Sequence, residues 1–154
     1  MATGGRARLT IRNVTPADYG AIATVVDDWW GGREIAPLLH RLFFEHFSTT
    51  SFVVEDDRGV VAFLCGFLSQ SHPAEAYVHL VGVRPDVRHG GLGRRLYEHF
   101  ADVARREGRT LVRAVTAPAN AGSIAFHRRL GFDVRVVSFD DGTVTTRVEF
   151  CRRI

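Results

Sequence analysis

Apolar residues recur at two spacings along the first third of the chain, and each spacing predicts a different element. Alternation of apolar and polar residues predicts a strand over residues 8 to 14. Thr15 and Pro16 then favour a helix start, because threonine caps helices and proline suits the first helical position. Helical spacing continues through two helices, the first ended by Gly31 and Gly32. Their apolar stripes are Tyr19, Ile22, Val26 and Trp29 or Trp30, followed by Ile35, Leu38, Leu39, Leu42, Phe43, His46 and Phe47.

Strand patterns fill the next part of the chain. Residues 51 to 55 and 60 to 69 flank a turn at residues 56 to 59 and therefore predict a hairpin. Residues 75 to 83 predict a third strand, whose successive side chains alternate between two faces. One predicted face carries Tyr77, His79, Val81 and Val83, and the other carries Ala76, Val78 and Leu80.

The C-terminal half adds helices and strands in alternation. A helix is predicted over residues 93 to 107, with Gly108 at its end. A strand follows over residues 110 to 115, and Asn120 is placed to cap a helix that Gly131 ends. The last two predicted strands cover residues 132 to 138 and 144 to 150. This order of elements predicts an α/β sandwich on a mixed sheet.

The composition is that of a globular protein. Its 154 residues are 45% apolar and 24% charged, so we expect a single domain over residues 1 to 154. The net charge of +3 comes from scattered basic residues, which a solvated surface explains at least as well as nucleic-acid binding. Cys65 and Cys151 have neither disulfide nor metal spacing, which favours a reducing cytoplasm and predicts no metal site. The longest apolar run, residues 60 to 68, is too short to cross a bilayer, so we expect a soluble protein without membrane contact.

Residues 76 to 95 are the most informative segment, since an apolar strand there runs through a glycine-rich turn into a helix. Such a turn exposes backbone N–H groups at the positive end of the helix. Gly91 and Gly93 lack a Cβ, which lets the backbone approach an anion closely, and Arg88 and Arg94 add positive charge. The segment therefore predicts a site for a phosphate or a diphosphate.

Two segments resemble signature motifs of the GNAT superfamily of N-acetyltransferases. The segment R-H-G-G-L-G, residues 88 to 93, is similar to the family's R/Q-x-x-G-x-G/A, and residues 81 to 85 match the V-x-V-x-P that precedes it. The segment N-A-G-S-I-A-F-H-R-R-L-G-F, residues 120 to 132, is similar to the family's N-x-x-S/A-x-x-F-Y-x-x-x-G-F. Many phosphate loops share the glycine motif, but both segments at this separation are specific. The resemblance implies a mixed, mostly antiparallel central sheet flanked by about four helices.

The same resemblance implies acetyl-CoA as the acyl-donor co-substrate. In the family, the turn binds the diphosphate, backbone groups of the preceding strand bind the pantetheine arm, and the second motif contacts the cofactor from the other side. The residues that this assigns to the cofactor are Val81, Val83, Arg88, His89, Gly90, Gly91, Gly93, Arg94, Asn120 and Ser123. Without a ligand, the glycines would form only a helix-start turn and Asn120 a plain N-cap.

Three residues are candidates for the transfer chemistry. His127 stands where the family usually has a tyrosine that protonates the leaving thiolate, and an imidazole with a pKa of ~6.5 could do the same; a histidine packed at the sheet edge is the alternative. His79 stands where family members often have a glutamate base, and a satisfied sheet histidine is an equal alternative. Glu75, on the same predicted face but further out, is the fallback base. The backbone N–H of Val81 is the candidate donor to the developing oxyanion.

The family builds its acceptor pocket from the loop between the first two helices, here residues 27 to 33. Asp28, Trp29 and Trp30 would suit a cationic amine through charge and cation–π contact, and Tyr77 could add a polar contact. The alternative is that one tryptophan closes the apolar stripe of its helix and the acids are only solvated. Cys65 lies in an apolar run and is expected to pack in the core, not to act as a nucleophile.

The expected function is direct transfer of an acetyl group from acetyl-CoA to a primary amine of a small molecule or peptide. The alternative is a non-catalytic acyl-CoA-binding regulatory module, which would keep the glycine turn and lack the acid and the base. Exposed late strands in this fold often pair, so a homodimer is an open expectation.

Overall fold

The computed structural model describes residues 8–143 and 145–154, and these residues form the predicted α/β arrangement. The strands are β1 Thr10–Asn13, β2 Phe52–Asp56, β3 Gly59–Leu68, β4 Glu75–Val83, β5 Leu111–Thr116, β6 Asp133–Phe139 and β7 Thr145–Arg153. The α-helices within the described residues are α1 Asp18–Ala23, α2 Val26–Trp29, α3 Arg41–Glu45, α4 Leu92–Arg106 and α5 Ala121–Arg129. The strands form one seven-stranded sheet in the order β1-β2-β3-β4-β5-β7-β6.

The directions of the strands in this sheet are mixed. β4 pairs with β5 in parallel, whereas β1 with β2, β2 with β3, β5 with β7 and β6 with β7 are antiparallel. A parallel neighbour requires a crossover connection, and α4 is the helix that lies in the chain between β4 and β5. The predicted mixed, mostly antiparallel sheet with flanking helices is confirmed.

The chain forms two compact units. The first contains the residues up to Gly66 together with Leu80–Phe100, and the second contains Phe67–His79 together with Ala101–Ile154. Strands β3 and β4 therefore each contribute residues to both units. The expectation of a single domain stays a prediction.

The predicted apolar stripe of the first helical segment is buried in the core of the first unit. Ile22 and Val26 are fully buried, and Trp29 is only 5% exposed. Trp29 packs against Phe63 of β3 with 6.0 Å between the ring centroids. The stripe is shared by α1 and α2, because the predicted single helix is interrupted between Ala23 and Val26.

The second predicted helix is wrong as a continuous element. A 3-10 helix, Ala36–Leu38, is separated from α3 by two extended residues, Leu39 and His40, with ψ 99° and 133°. Pro37 lies in the first turn of that 3-10 helix, where its missing N–H costs no hydrogen bond, so the interruption lies in the two extended residues that follow it. Leu38 and Leu42, which were expected in the apolar stripe, are 47% and 43% exposed.

The predicted start of α1 is also different in detail. The helix begins at Asp18, and its N-cap residue, Ala17, forms no side-chain cap hydrogen bond. The Asp18 carboxylate accepts the backbone N–H of Thr15 at 2.7 Å and two N–H groups of Arg12 at 2.8 and 2.9 Å. These hydrogen bonds, those from Arg12 foremost, hold the pKa of Asp18 below its ordinary value. An acid two residues past the expected start thus organises this end of the helix.

The remaining predicted elements are confirmed to within a few residues. β4 has the predicted bounds, and β7 continues to Arg153, past the predicted end at residue 150. Val144, the predicted first residue of the last strand, lies outside the described residues. The longest helix described, α4, has 15 residues. None of the helices in the described parts of the chain combines the length and the apolar character needed to span a membrane.

Candidate functional site

The glycine turn has the backbone geometry of an anion site. His89 and Gly91 both have positive φ values, 67° and 79°, just before α4 begins at Leu92. A Cβ on Gly90 would lie 3.3 Å from the carbonyl oxygen of Val87, so this position also favours glycine. The first four N–H groups of an α-helix have no partner within the helix, and the helix dipole adds partial positive charge there. The predicted phosphate turn therefore has suitable donors at the start of a long helix.

Arg88, at the first position of the glycine motif, donates to protein carbonyl groups. Its Nε lies 3.1 Å from the carbonyl oxygen of Val83, and its Nη2 donates to the carbonyl oxygen of Trp29. The side chain thus joins the end of β4 to the end of α2. Sequence reasoning assigned this arginine to the cofactor and missed these two acceptors, which only the tertiary structure brings near it.

Strand β4 does not keep one alternation along its length. The backbone N–H of Ser69 donates to Glu75 at 3.1 Å, and that of Arg84 donates to Val61 at 2.8 Å, so the backbone groups of Glu75 and Arg84 both face β3. In a regular strand, residues an odd number apart face opposite neighbours. β4 therefore contains an irregularity of the β-bulge kind between these two residues.

The side chains of β4 lead to the same conclusion. The Tyr77 ring stacks on Phe67, with 5.3 Å between centroids, while a Cβ on Gly82 would lie 2.6 Å from the ring of Phe63. Phe63 and Phe67 share a face of β3, so Tyr77 and Gly82 share a face of β4. The predicted face shared by Tyr77, His79, Val81 and Val83 is therefore wrong, because Val83, next to Gly82, lies opposite Tyr77.

The irregularity decides where the backbone groups of Val83 point. Because the N–H of Arg84 faces β3, alternation turns the backbone groups of Val83 away from β3, and the matching direction expected for Val81 stays a prediction. The acceptance of the Arg88 Nε–H by Val83 agrees with this direction. The register of β4 with β5 runs only from Glu75 to Tyr77, so both valines lie beyond its last pair.

The second motif forms the start of α5 in the second unit. Asn120 caps this helix, as predicted, since its Oδ1 accepts the N–H of Ser123 at 3.2 Å. Its Nδ2 donates to the hydroxyl of Thr116 at 3.1 Å. Both ends of the Asn120 amide thus fix the turn between β5 and α5, and the cofactor contact proposed for Asn120 and Ser123 stays a prediction.

His127 lies inside the second unit. It is 4% exposed, and its ring stacks on Phe150 with 3.9 Å between centroids and 4° between planes. Its Nδ1 lies 2.7 Å from the carbonyl oxygen of Ser123, so Nδ1 carries the hydrogen. Burial lowers the pKa of His127 below its ordinary 6.5, which favours a neutral ring. A neutral imidazole protonated at Nδ1 is a poor proton donor to a thiolate, and this geometry favours the packed alternative.

The remaining candidate residues differ in burial and in their charged neighbours. His79 is half-buried on β4, and Glu75, on the same strand, pairs with Arg113 at 2.7 Å. Burial raises the pKa of Tyr77, so its phenol stays protonated near neutral pH. Burial also raises the pKa of the Cys65 thiol to about 12, which agrees with the expected core position.

The loop after α2 is more ordered than its glycines suggest. The Asp27 carboxylate accepts the N–H groups of Ile35 and Ala36 at 2.7 and 2.8 Å, a structural role that the sequence did not indicate. Asp28 is exposed, whereas Trp29 packs in the core and has little surface left for a ligand. The half-buried Trp30 lies against Gly82, where an added Cβ would come within 2.6 Å of Cη2 of the indole.

Comparisons with known proteins agree on one family. The profile described as Acetyltransferase (GNAT) family matches residues 19–132. An uncharacterised N-acetyltransferase of Methanocaldococcus jannaschii is 35% identical over 80 residues, which cover 51% of this chain and 35% of that protein. An L-methionine sulfoximine/L-methionine sulfone acetyltransferase of Pseudomonas aeruginosa is 43% identical over 56 residues, which cover 36% of this chain and 33% of that protein. The matches thus span about a third of the length of these curated relatives.

A solved structure extends the similarity to the whole fold. Diaminobutyrate acetyltransferase EctA of Paenibacillus lautus, in complex with L-2,4-diaminobutyric acid and coenzyme A, superposes with a TM-score of 0.75. The superposition covers 95% of each chain at 18% identity. At this identity the similarity shows a shared fold.

The buried His127 makes a prediction about stability and pH. The unfolded chain takes up a proton at this histidine as the pH falls below about 6.5, whereas the folded chain resists it, so the free energy of unfolding should decrease toward acid pH. We expect His127→Phe, which keeps a ring on Phe150, to lose part of this decrease when urea unfolding at pH 7.5 and pH 5.5 is compared. The exposed His72 provides the control, since His72→Gln should keep the wild-type decrease. An unchanged decrease in His127→Phe would contradict the assignment of a neutral, buried ring.

Proposed function

Because the chain belongs to the acetyltransferase (GNAT) family, we propose that it transfers an acetyl group from acetyl-CoA directly to a primary amine. The acceptor is a small molecule or a peptide. The observation that carries the proposal is the strand, turn and helix at residues 75–106, with left-handed residues His89 and Gly91 immediately before α4. The non-catalytic alternative is not favoured, since the family and the named relatives are acetyltransferases.

In this proposal the glycine turn binds the diphosphate of the coenzyme. The backbone N–H groups around Gly91 and the first turn of α4 donate to the phosphate oxygens, and Arg94 adds positive charge. The backbone groups of Val83, which face away from β3, and those of Val81 bind the pantetheine arm. Asn120 and Ser123 contact the coenzyme as the second motif of the family implies. The EctA structure, which contains coenzyme A, supports the choice of acyl donor.

The transfer step needs a neutral amine and a stabilised oxyanion. An alkylamine with a pKa of ~10.4 is protonated at pH 7, and its deprotonation costs about 4 to 5 kcal/mol. We assign to His79 the acceptance of the amine proton, directly or through water. We assign to the backbone N–H of Val81 the hydrogen bond that stabilises the oxyanion. The amine nitrogen then bonds to the acetyl carbon, the carbon–sulfur bond breaks, and the products are the acetylated amine and coenzyme A.

His127 is left out of the proposed proton transfers. Its buried, neutral ring donates Nδ1–H to Ser123 and does not supply an acidic proton at neutral pH. A thiol with a cysteine-like pKa of ~8.5 can leave as a thiolate at pH 7 for about 2 kcal/mol, so a dedicated acid is not essential. The proton released by the amine is available to the thiolate through solvent.

The acceptor residues in the proposal are Asp28, Trp30 and Tyr77. Asp28 offers an exposed carboxylate, and Trp30 and Tyr77 offer partly exposed aromatic surface to the carbon chain of an amine. The named relatives include enzymes for amino-acid-like acceptors, methionine sulfoximine in one and diaminobutyric acid in the other. These names support small molecules that carry an amino group as the first acceptors to try.

The proposed activity predicts release of a thiol from acetyl-CoA that depends on an amine. A thiol reagent would follow the reaction over a panel of amino acids, polyamines and peptides with free N-termini, and mass spectrometry would identify the acetylated product. We expect at least one amine to raise thiol release above hydrolysis alone. Tight binding of acetyl-CoA without turnover of any amine would favour the regulatory-module alternative.

Gly91 should be required for coenzyme binding, because a Cβ there would strain the turn and obstruct an approaching phosphate. Gly91→Ala should weaken coenzyme A binding about tenfold or more in calorimetry, while its positive φ costs about 1 kcal/mol of stability. Gly108, at the other end of α4, is a matched control with φ 76°. Gly108→Ala should lose similar stability and keep the wild-type affinity. Equal affinities in the two variants would remove the turn from the proposed site.

His79 is predicted to act on the acceptor and not on the coenzyme. His79→Gln keeps a polar side chain of similar size but cannot accept a proton from an amine, so kcat should fall by about 10²-fold or more. The dissociation constant of acetyl-CoA should stay unchanged in calorimetry. An unchanged kcat would leave the deprotonation to water and would show His79 to be a satisfied sheet residue.

A further inference from the structure

Arg88 has a position that phosphate binding does not explain. Its guanidinium donates from Nε to the carbonyl oxygen of Val83 and from Nη2 to that of Trp29. Hydrogen bonds from a charged donor are among the stronger ones in proteins, and a rigid guanidinium fork can join two acceptors from different segments. The side chain therefore connects the end of β4 with the last residue of α2.

The segment that Arg88 reaches continues directly into the loop after α2. Trp30 follows Trp29, and its indole lies against the backbone of Gly82, in contact with the ring of Phe63. Gly82 stands between Val81 and Val83, and the backbone groups of Val83 face away from β3. Contacts from Arg88 and from Trp30 thus meet on the same short stretch of β4.

The far end of the loop is also held. The Asp27 carboxylate accepts the N–H groups of Ile35 and Ala36, which closes the loop onto the start of α2. The loop is therefore tied at its end by Asp27 and at its beginning by Arg88. Of these two contacts, only Arg88 joins the loop to the glycine turn.

We propose that Arg88 is a positioning residue, which fixes the loop after α2, and Trp30 with it, against strand β4 next to the glycine turn. The proposal rests on the proposed function, in which Trp30 contributes to the acceptor site and the turn binds the diphosphate. Arg88 then acts on the acceptor through Trp30 and is not a ligand of the diphosphate. It differs in this from Arg94, whose charge the proposed function assigns to the coenzyme.

This role predicts that loss of Arg88 affects the KM of the amine and leaves the affinity for coenzyme A nearly unchanged. Loss of the Arg88 hydrogen bonds should loosen Trp30 and raise the KM of the amine, while the backbone N–H groups of the turn still bind the diphosphate. The chain contains two tryptophans, Trp29 at the end of α2 and Trp30 at the start of the loop, so tryptophan fluorescence, excited selectively over tyrosine, reports on this segment. Both readouts apply to the full chain.

The experiment compares Arg88→Met, Arg88→Lys and Arg95→Met with the wild type. Arg88→Met keeps much of the side chain and removes both donors, whereas Arg88→Lys keeps the charge and can reach one carbonyl. Arg95, exposed on the first turn of α4, is the control for removing a positive charge near the same turn. The measurements are calorimetry with coenzyme A, acrylamide quenching of tryptophan fluorescence, and KM for an amine that the wild type accepts.

In Arg88→Met we expect coenzyme A affinity within about threefold of wild type, tryptophan quenching at least about twofold stronger, and an amine KM raised about tenfold or more. Arg88→Lys should fall between Arg88→Met and wild type, and Arg95→Met should match wild type in quenching and amine KM. A loss of coenzyme affinity as large as the rise in amine KM would make Arg88 a diphosphate ligand and overturn the proposal. Unchanged quenching in a folded Arg88→Met would overturn it as well.

Failure of the proposed function would give other results than failure of the proposal for Arg88. If the wild type binds no coenzyme A, the acetyl-transfer proposal fails, yet the quenching comparison between wild type and Arg88→Met still decides whether Arg88 fixes the loop. If the wild type binds coenzyme A and accepts no amine tried, quenching and calorimetry together decide whether Arg88 fixes the loop and does not bind the diphosphate. Circular dichroism and thermal unfolding of each variant establish that it is folded.

Discussion

The break in the alternation of β4 is the constraint on which the candidate site depends. A regular strand would keep the backbone groups of Val83 on the same side as those of Glu75, toward β3, where the sheet would satisfy them. The irregularity turns them to the other edge, past the last residue that pairs with β5. Backbone donors without a ladder partner on one edge are what an extended, amide-containing ligand such as pantetheine requires. The same break moves Tyr77 to the face opposite Val83.

The glycine turn adds a second constraint, because it has to expose backbone N–H groups and also hold its neighbours in place. Positive φ values at His89 and Gly91 orient the backbone N–H groups. Arg88 holds the neighbouring segments by donating to two backbone carbonyls. Arg88 in this arrangement positions the segments around the turn, and the dipoles of the two carbonyl groups partly offset its charge. The turn can therefore bind an anion chiefly through peptide groups, which need no side-chain rearrangement.

The environment of His127 does not favour the acid role that the family motif suggested for it. A ring that stacks on Phe150 and donates to the Ser123 carbonyl contributes to the core of the second unit, where a proton would cost desolvation energy. A residue type suited to acid–base chemistry is thus not enough to identify an acid. The proposed mechanism needs a base for the amine more than an acid for the thiolate, because the ordinary pKa of an alkylamine lies further from neutral pH than that of a thiol.

Local patterns were sufficient for most elements. The bounds of β4, the helix after the glycine turn and the Asn120 cap of α5 each depend on residues within a few positions of one another, so spacing and residue type predicted them. The prediction of a continuous second helix was wrong because apolar spacing continues through Leu39 and His40, although the backbone of both residues is extended.

By itself, the sequence determined the order of the elements, the glycine turn and the family, because these follow from spacing and from short motifs. The tertiary structure alone decided the direction of the Val83 backbone, the partners of Arg88, the contact of Trp30 with Gly82 and the burial that lowers the pKa of His127. Each of these depends on groups from distant parts of the chain, such as Val61 for the register of β4. Strand irregularities, carbonyl acceptors and desolvation arise only when such groups meet, and no local pattern in the sequence records them.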